Sequence, residues 1–124
     1  MTIQDVITNV DNTKPNMFDE GIKLVWLNEV DNKVYQIMKK RKGAEELTKP
    51  DINAECDYDM QLLLPDEFSC VYTYYLYAMI DFSNNETQRY NNSMIMYDNA
   101  LDEFEKYWYR EHPQISSGTY RKQV

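Results

Sequence analysis

The chain has 124 residues, a formal net charge of -8 from 13 Lys and Arg against 21 Asp and Glu, and 43% hydrophobic and 14% aromatic residues. That length suits one domain, and so much apolar mass excludes intrinsic disorder. The acidic balance disfavours non-specific DNA binding, which needs Lys and Arg in excess to neutralise phosphates. No stretch reaches the ~20 apolar residues of a membrane span. Met1-Thr2-Ile3-Gln4-Asp5 lacks the basic and apolar regions of a secretory signal, so the expectation is a soluble intracellular protein with no membrane partner.

Three glycines and four prolines punctuate the chain, which favours long helices over many short strands. Ile3, Val6, Ile7 and Val10 fall at i, i+3, i+4, i+7 and predict a first helix over 2–11, with Thr2 as N-cap and Pro15 as breaker. Ile22, Val25, Trp26, Val30, Val34, Ile37 and Met38 predict a second helix over 18–42, opened near Asp19 and ended by Gly43. Lys39, Lys40, Arg41 and Lys42 occupy its last turn, where cations complement the negative end of the helix dipole. Residues 43–65 hold no helical period and read as a long acidic loop carrying Asp51, Glu55, Asp57 and Asp59. A short extended piece closes it at Leu62-Leu63-Leu64-Pro65, and a loop of this length is commonly functional or mobile.

Phe68, Val71, Tyr72, Tyr75, Leu76, Met79 and Ile80 form a helical stripe and predict a third helix over 67–82. Tyr74 and Tyr77 lie off that stripe, so the helix carries more apolar face than one small core requires. They are the expected oligomer interface, since aromatic residues are enriched in interface cores. Ser83-Asn84-Asn85-Glu86 fits the S-x-x-E capping box and predicts a restart. The fourth helix, over 84–112, presents Tyr90, Met94, Tyr97, Leu101, Phe104 and Trp108 on one face and stops at Pro113. The fold class expected is all-α: a small bundle of about four helices with a long acidic loop and a C-terminal helical hairpin. Residues 1–113 form one helical domain and 114–124 a polar, basic tail. Thr119, Tyr120, Arg121, Lys122 and Val124 could add as a strand to a partner's sheet edge.

The chemical inventory points away from an enzyme. Cys56 and Cys70 form no C-x-x-C pair and read as reduced thiols, so no metal is expected. His112, the single histidine, lies at a helix end with no partnered nucleophile motif. There is no glycine-rich phosphate loop, no H-E-x-x-H and no G-x-S-x-G, so no catalytic residue and no cofactor is expected. Between 50 and 88 there are eight acidic residues and no Lys or Arg, so this window holds the whole net charge. Asp81, Glu86 and Arg89 are expected to form a structural polar network around the third and fourth helices.

Several blocks carry a resemblance. They are Lys14-Pro15-Asn16, Trp26-Leu27-Asn28-Glu29-Val30-Asp31, Leu62-Leu63-Leu64-Pro65, Ile80-Asp81 with Glu86, Arg89-Tyr90-Asn91-Asn92-Ser93, and Tyr107-Trp108-Tyr109-Arg110-Glu111-His112. Together, across about residues 5–112, the chain resembles the head–tail connector (adaptor, head-completion) proteins of tailed bacteriophages and prophages of Gram-positive bacteria. The Arg89 to Ser93 block is the most specific, whereas 39–49 and the tail after Pro113 depart from the pattern. The resemblance implies a helical structural subunit of the virion, assembled in the host bacterial cytoplasm. It would form a homo-oligomeric ring, dodecameric in the virion, between the portal protein and a downstream tail or head-completion protein. Double-stranded DNA would pass through the ring without specific binding, because an acidic lumen repels phosphates. The resemblance also implies that a terminal segment grips the portal. The alternative from composition alone is an acidic inhibitory or regulatory protein, a DNA mimic that binds a basic partner.

Overall fold

The computed structural model describes residues 1–41 and 47–113. Four helices make up the bundle: α1 (Ile3–Thr13), α2 (Glu20–Lys39), α3 (Cys70–Ser83) and α4 (Thr87–Glu111), with a 3-10 turn at Asp66–Phe68 leading into α3. No strand occurs among the described residues; an isolated antiparallel bridge joins Thr2 and Gln61.

Each helix start is built locally. Thr2 caps α1: its hydroxyl accepts from Asp5 N at 3.1 Å, while the Asp5 carboxylate accepts from Thr2 N at 3.1 Å. That reciprocal bond holds the Asp5 carboxyl below the usual carboxylate range. The two remaining N–H groups of the first turn, on Ile3 and Gln4, donate to the carbonyls of Met60 and Tyr58 at 3.3 and 2.9 Å. The 47–65 segment thus completes the cap of a helix more than fifty residues upstream. Asp19 caps α2 by accepting from Ile22 N at 3.0 Å. At the other end of α2 the Trp108 indole donates to Met38 O at 3.2 Å, satisfying an orphan carbonyl.

α3 is the central helix, packed against α1, α2 and α4. Its buried residues Val71, Tyr72, Leu76, Ala78, Ile80 and Asp81 fall on several sides of the helix, as a helix surrounded by neighbours demands. That central position accounts for much of the apolar excess noted in the sequence. α2 runs antiparallel to α3, since Tyr72 meets Asp31 at 2.7 Å and Tyr75 meets Glu29 at 2.9 Å. α1 contributes Ile3, Val6, Ile7 and Val10, all buried as the spacing required. Each such side chain contributes roughly 1.5–3 kcal/mol on leaving water.

Three expectations need correction. In α2 the core face is Leu24, Trp26, Leu27, Val30, Val34, Ile37 and Met38, while Ile22 and Val25 are exposed. Buried Lys23 and Asp31 share the inward face and disguised its register. Ser83-Asn84-Asn85-Glu86 is no capping box: Ser83 ends α3, and Glu86 precedes α4 without a side-chain cap. The string closes α3 instead, with Asn85 in the left-handed region at φ 60. Glu86 N donates to Asp81 O at 2.9 Å and Asn85 N to Phe82 O at 3.1 Å, the paired bonds of a Schellman ending. Two unpaired carbonyls of α3 are satisfied this way, so the C-terminal motif wins the local competition, and α4 begins at Thr87 instead of near 84.

The third correction concerns the long loop, whose described part, 47–65, is anchored and not loose. Ile52, Leu62 and Leu64 are buried in the core, while Asp51, Glu55, Asp57 and Asp59 are exposed. Asn28 Oδ1 accepts from Lys49 Nζ at 2.7 Å and from Ile52 N at 3.1 Å. Further along, Leu64 N donates to the Tyr72 hydroxyl at 2.9 Å, and that hydroxyl donates to Asp31 at 2.7 Å. Burial pushes the Asp31 carboxyl above its ordinary value, against the opposing pull of the Tyr72 bond and of Lys49.

This raised value fixes a pH dependence. The unfolded Asp31 carboxyl titrates near 3.8 and the folded one higher. Between those values the folded protein binds more protons, so the contribution of Asp31 to stability falls as pH rises through the window. Asp31→Asn keeps an acceptor for Tyr72 and removes the charge. Urea unfolding should find the variant ahead of wild type at pH 7, with the gap narrowing as the pH is lowered towards 4. A gap independent of pH would contradict the assignment.

Candidate interaction surface

Cys70, Tyr74, Tyr77 and Asp81 recur at i, i+4, i+7 and i+11 and share one face of α3. Tyr74 and Tyr77 are half-buried at the edge of the core, in edge-to-face contact with their centroids 6.2 Å apart. Beside Tyr74 a groove of about 220 Å³ is lined by Cys70, Met96, Asn99, Ala100 and Glu103. The pair expected at an interface therefore retains accessible ring surface, with Tyr74 next to exposed Met96 of α4. Burial pushes the Cys70 thiol up, which keeps it protonated and a poor nucleophile.

The expected network of Asp81, Glu86 and Arg89 divides into two parts. Asp81 is buried, and both its oxygens accept from Lys14 Nζ, at 2.8 and 3.1 Å, with Ser93 Oγ at 3.4 Å. Lys14 Nζ also lies 5.7 Å from the Tyr77 ring centroid. Glu86 pairs with Arg89 at 2.9 Å on the surface, where an i, i+3 pair contributes a few tenths of a kcal/mol. The backbone bond from Glu86 N to Asp81 O connects the two. A second ion pair, buried Lys23 with partly exposed Asp11 at 2.7 Å, escaped the sequence reading. So did Lys14 as partner of Asp81. The available signal was Lys23 and Asp31 standing eight residues apart, in phase with the apolar face of α2.

The α3–α4 turn forms a second surface. Phe82 is 61% exposed, its ring 5.3 Å from that of Tyr90. With Asn85, Glu86, Thr87 and Asn91 these rings line an open cavity of about 200 Å³. The acidic 51–59 segment runs beside α2 and the start of α1, with Ile52 N donating to Asn28 Oδ1 and Gln4 N donating to Tyr58 O, while His112 follows the end of α4. The His112 ring stacks on Trp108 at 3.8 Å, and its Nδ1 sits 3.1 Å from Trp108 O, a helix-ending role. Cations at and just beyond the end of α2 pack on aromatic rings: Lys39 Nζ lies 5.7 Å from the Tyr35 centroid and the Arg41 guanidinium 3.9 Å from that of Tyr109. Lys42 and the tail residues Thr119, Tyr120, Arg121 and Lys122 lie outside the described residues.

Among the described residues no three His, Cys, Asp or Glu side chains gather as metal ligands would, and no helix is long and apolar enough to cross a membrane. No protein-family model, curated protein or solved structure matches this chain.

The Lys14–Asp81 pair should carry a measurable share of stability. Lys14→Met leaves a buried carboxylate without its cation, which should cost about 2–3 kcal/mol in urea unfolding at pH 7, since the lysine is itself partly exposed. Adding Asp81→Asn should return part of that loss. Equal costs for the single and the double variant would show that the pair is not coupled.

Proposed function

We propose that this protein is a head–tail connector subunit: a non-enzymatic virion protein that forms a ring between the phage portal and the tail and extends the DNA channel. The observation that carries the reading is the separation of surfaces. The apolar, half-exposed strip of Tyr74 and Tyr77 with its Met96 groove lies on the side of the bundle. The exposed carboxylates of 51–59 lie on a separate segment, the strap anchored to Asn28 of α2 and to the first turn of α1. A ring needs that division, with lateral faces that bury aromatic surface between copies and acidic surface left for the channel, where like charge keeps DNA mobile.

The resemblance blocks support the reading by what they do in the fold. Within Arg89-Tyr90-Asn91-Asn92-Ser93, Arg89 pairs with Glu86, Tyr90 packs on Phe82, and Ser93 reaches Asp81. The block builds the hairpin that presents the lateral face. Partners on this reading are further copies of the chain, the portal, a downstream tail or head-completion protein, and passing DNA.

Two variants test it in an assembly mixture with portal-containing heads that lack a connector, scored by electron microscopy. Tyr74→Ser with Tyr77→Ser should leave far-UV circular dichroism nearly unchanged and reduce ring formation by about tenfold or more. Truncation after Pro113 should leave a folded protein that no longer joins the heads, the tail being the proposed portal grip. Heads joined equally well by the truncated chain would remove the tail from the account. A wild-type chain that stays monomeric and binds a basic protein 1:1 would replace the connector reading with the DNA-mimic one.

A further inference from the structure

The groove beside Tyr74 offers apolar walls and an unpaired charge together. Cys70 and Tyr74 of α3 face Met96 and Ala100 of α4 across it, with Asn99 and Glu103 as its polar groups, and its volume is about 220 Å³. A cavity of ~150 Å³ admits benzene, so one aromatic side chain fits. Met96, Asn99, Ala100 and Glu103 recur at i, i+3, i+4 and i+7 and make one stripe of α4, which Tyr107 and Arg110 continue towards the end of the helix. The ion pairs of α4 are Arg89 with Glu86 and Lys106 with Asp102. Exposed Glu103 is therefore left without a cation among the described residues.

A segment of the same chain starts within reach. α4 ends at Glu111, and Pro113 forbids its continuation. Beyond it the sequence reads Gln114-Ile115-Ser116-Ser117-Gly118-Thr119-Tyr120-Arg121-Lys122, outside the described residues. Glu103 stands ten positions before Pro113, about 15 Å back along the helix axis. Five extended residues cover about 16 Å. A chain that turns back at Pro113 thus spends Gln114 to Gly118 on the return and brings Thr119, Tyr120 and Arg121 level with the groove. Charge favours that placement. Residues 112–124 include Arg121 and Lys122 and no Asp or Glu, while the 50–88 window that supplies Cys70 and Tyr74 has no Lys or Arg. Glu67, three positions before Cys70, is exposed as well. Of the nearby cations, Lys106 is neutralised by Asp102, and Arg110 lies two turns past Glu103, where the tail leaves the helix.

We propose that the tail of the free subunit folds back into this groove, with the Tyr120 ring between Tyr74 and Met96 and with Arg121 and Lys122 against Glu103. A thioether makes favourable contacts at ring edges, and Asn99 offers the Tyr120 hydroxyl a polar partner. The contact is intramolecular, so an effective concentration in the millimolar range lets a weak interaction hold. Docked there, the tail covers the aromatic lateral face of its own subunit. A tail taken by the portal uncovers that face, so subunits join where tails are held and stay apart in solution. That consequence rests on the connector reading; the docking itself does not.

Cys70 supplies a probe inside the groove. In the full chain carrying Cys56→Ser, Tyr120→Cys should form a disulfide with Cys70 within one molecule on oxidation with diamide, seen as a linked peptide pair in the monomer band. Adding Arg121→Glu and Lys122→Glu should lower the yield about fivefold, and Glu103→Lys in that charge-reversed chain should restore it. Independently, sedimentation velocity should find the full chain monomeric and the chain truncated after Pro113 self-associating, with Tyr74→Ser and Tyr77→Ser returning the truncated chain to monomer. Equal cross-linking in the charge-reversed chain, a disulfide formed only between molecules, or a truncated chain as monomeric as the full one would each overturn the fold-back. None of these mixtures contains heads or portal, so their failure leaves the connector reading to its own assembly test.

Discussion

The fold depends on surrounding α3, a helix too apolar to face water on any broad side, with polar groups that are all satisfied. Tyr72 is the critical residue. Its ring is fully buried, and its hydroxyl serves Leu64 N as acceptor and Asp31 as donor in one buried position. A buried hydroxyl with both functions engaged costs little, whereas each orphaned partner would cost about 1–3 kcal/mol. The same atom therefore fastens three elements: α2 through Asp31, α3 through itself, and the 47–65 strap through Leu64. The strap in turn supplies the carbonyls that cap α1. Without the Tyr72 junction, both the strap and the first turn of α1 lose their anchorage.

Charge is treated in two ways in this chain. Buried Asp81 and Lys23 are paired at contact distance, with Lys14 and Asp11, while buried Asp31 is held by the Tyr72 hydroxyl. The Lys14–Asp81 pair brings the α1–α2 connection close to the end of α3, and the Lys23–Asp11 pair ties α1 to α2. The carboxylates of 51–59 are left exposed on the strap, where water solvates them.

Legibility in the sequence followed the range of the forces involved. α1 was readable in full because it is one-sided, with four apolar residues in period and a cap three residues from its partner. α2 was found, but its inward face was misplaced, because Lys23 and Asp31 are inward residues whose partners are remote in sequence. The turn at Ser83 matched a local motif, yet Asn85 in the left-handed region ended α3 by a different one. The strap had no period to read, since its order comes from Asn28, Tyr72 and the start of α1. At the candidate surface, Tyr74 and Tyr77 stood out as aromatics off the stripe. Asp81 was noted without its cation, which lies 67 positions away. The groove beside Tyr74 and the Phe82–Tyr90 cavity are tertiary facts with no local signature.

The most direct measurement is hydrogen exchange by mass spectrometry on the full chain, free and assembled on portal-containing heads. The account predicts new protection in peptides covering the 70–82 face of α3 and the first half of α4, with exchange across 51–59 unchanged. Protection confined to 51–59, with the α3 and α4 peptides exchanging as in the free protein, would contradict it.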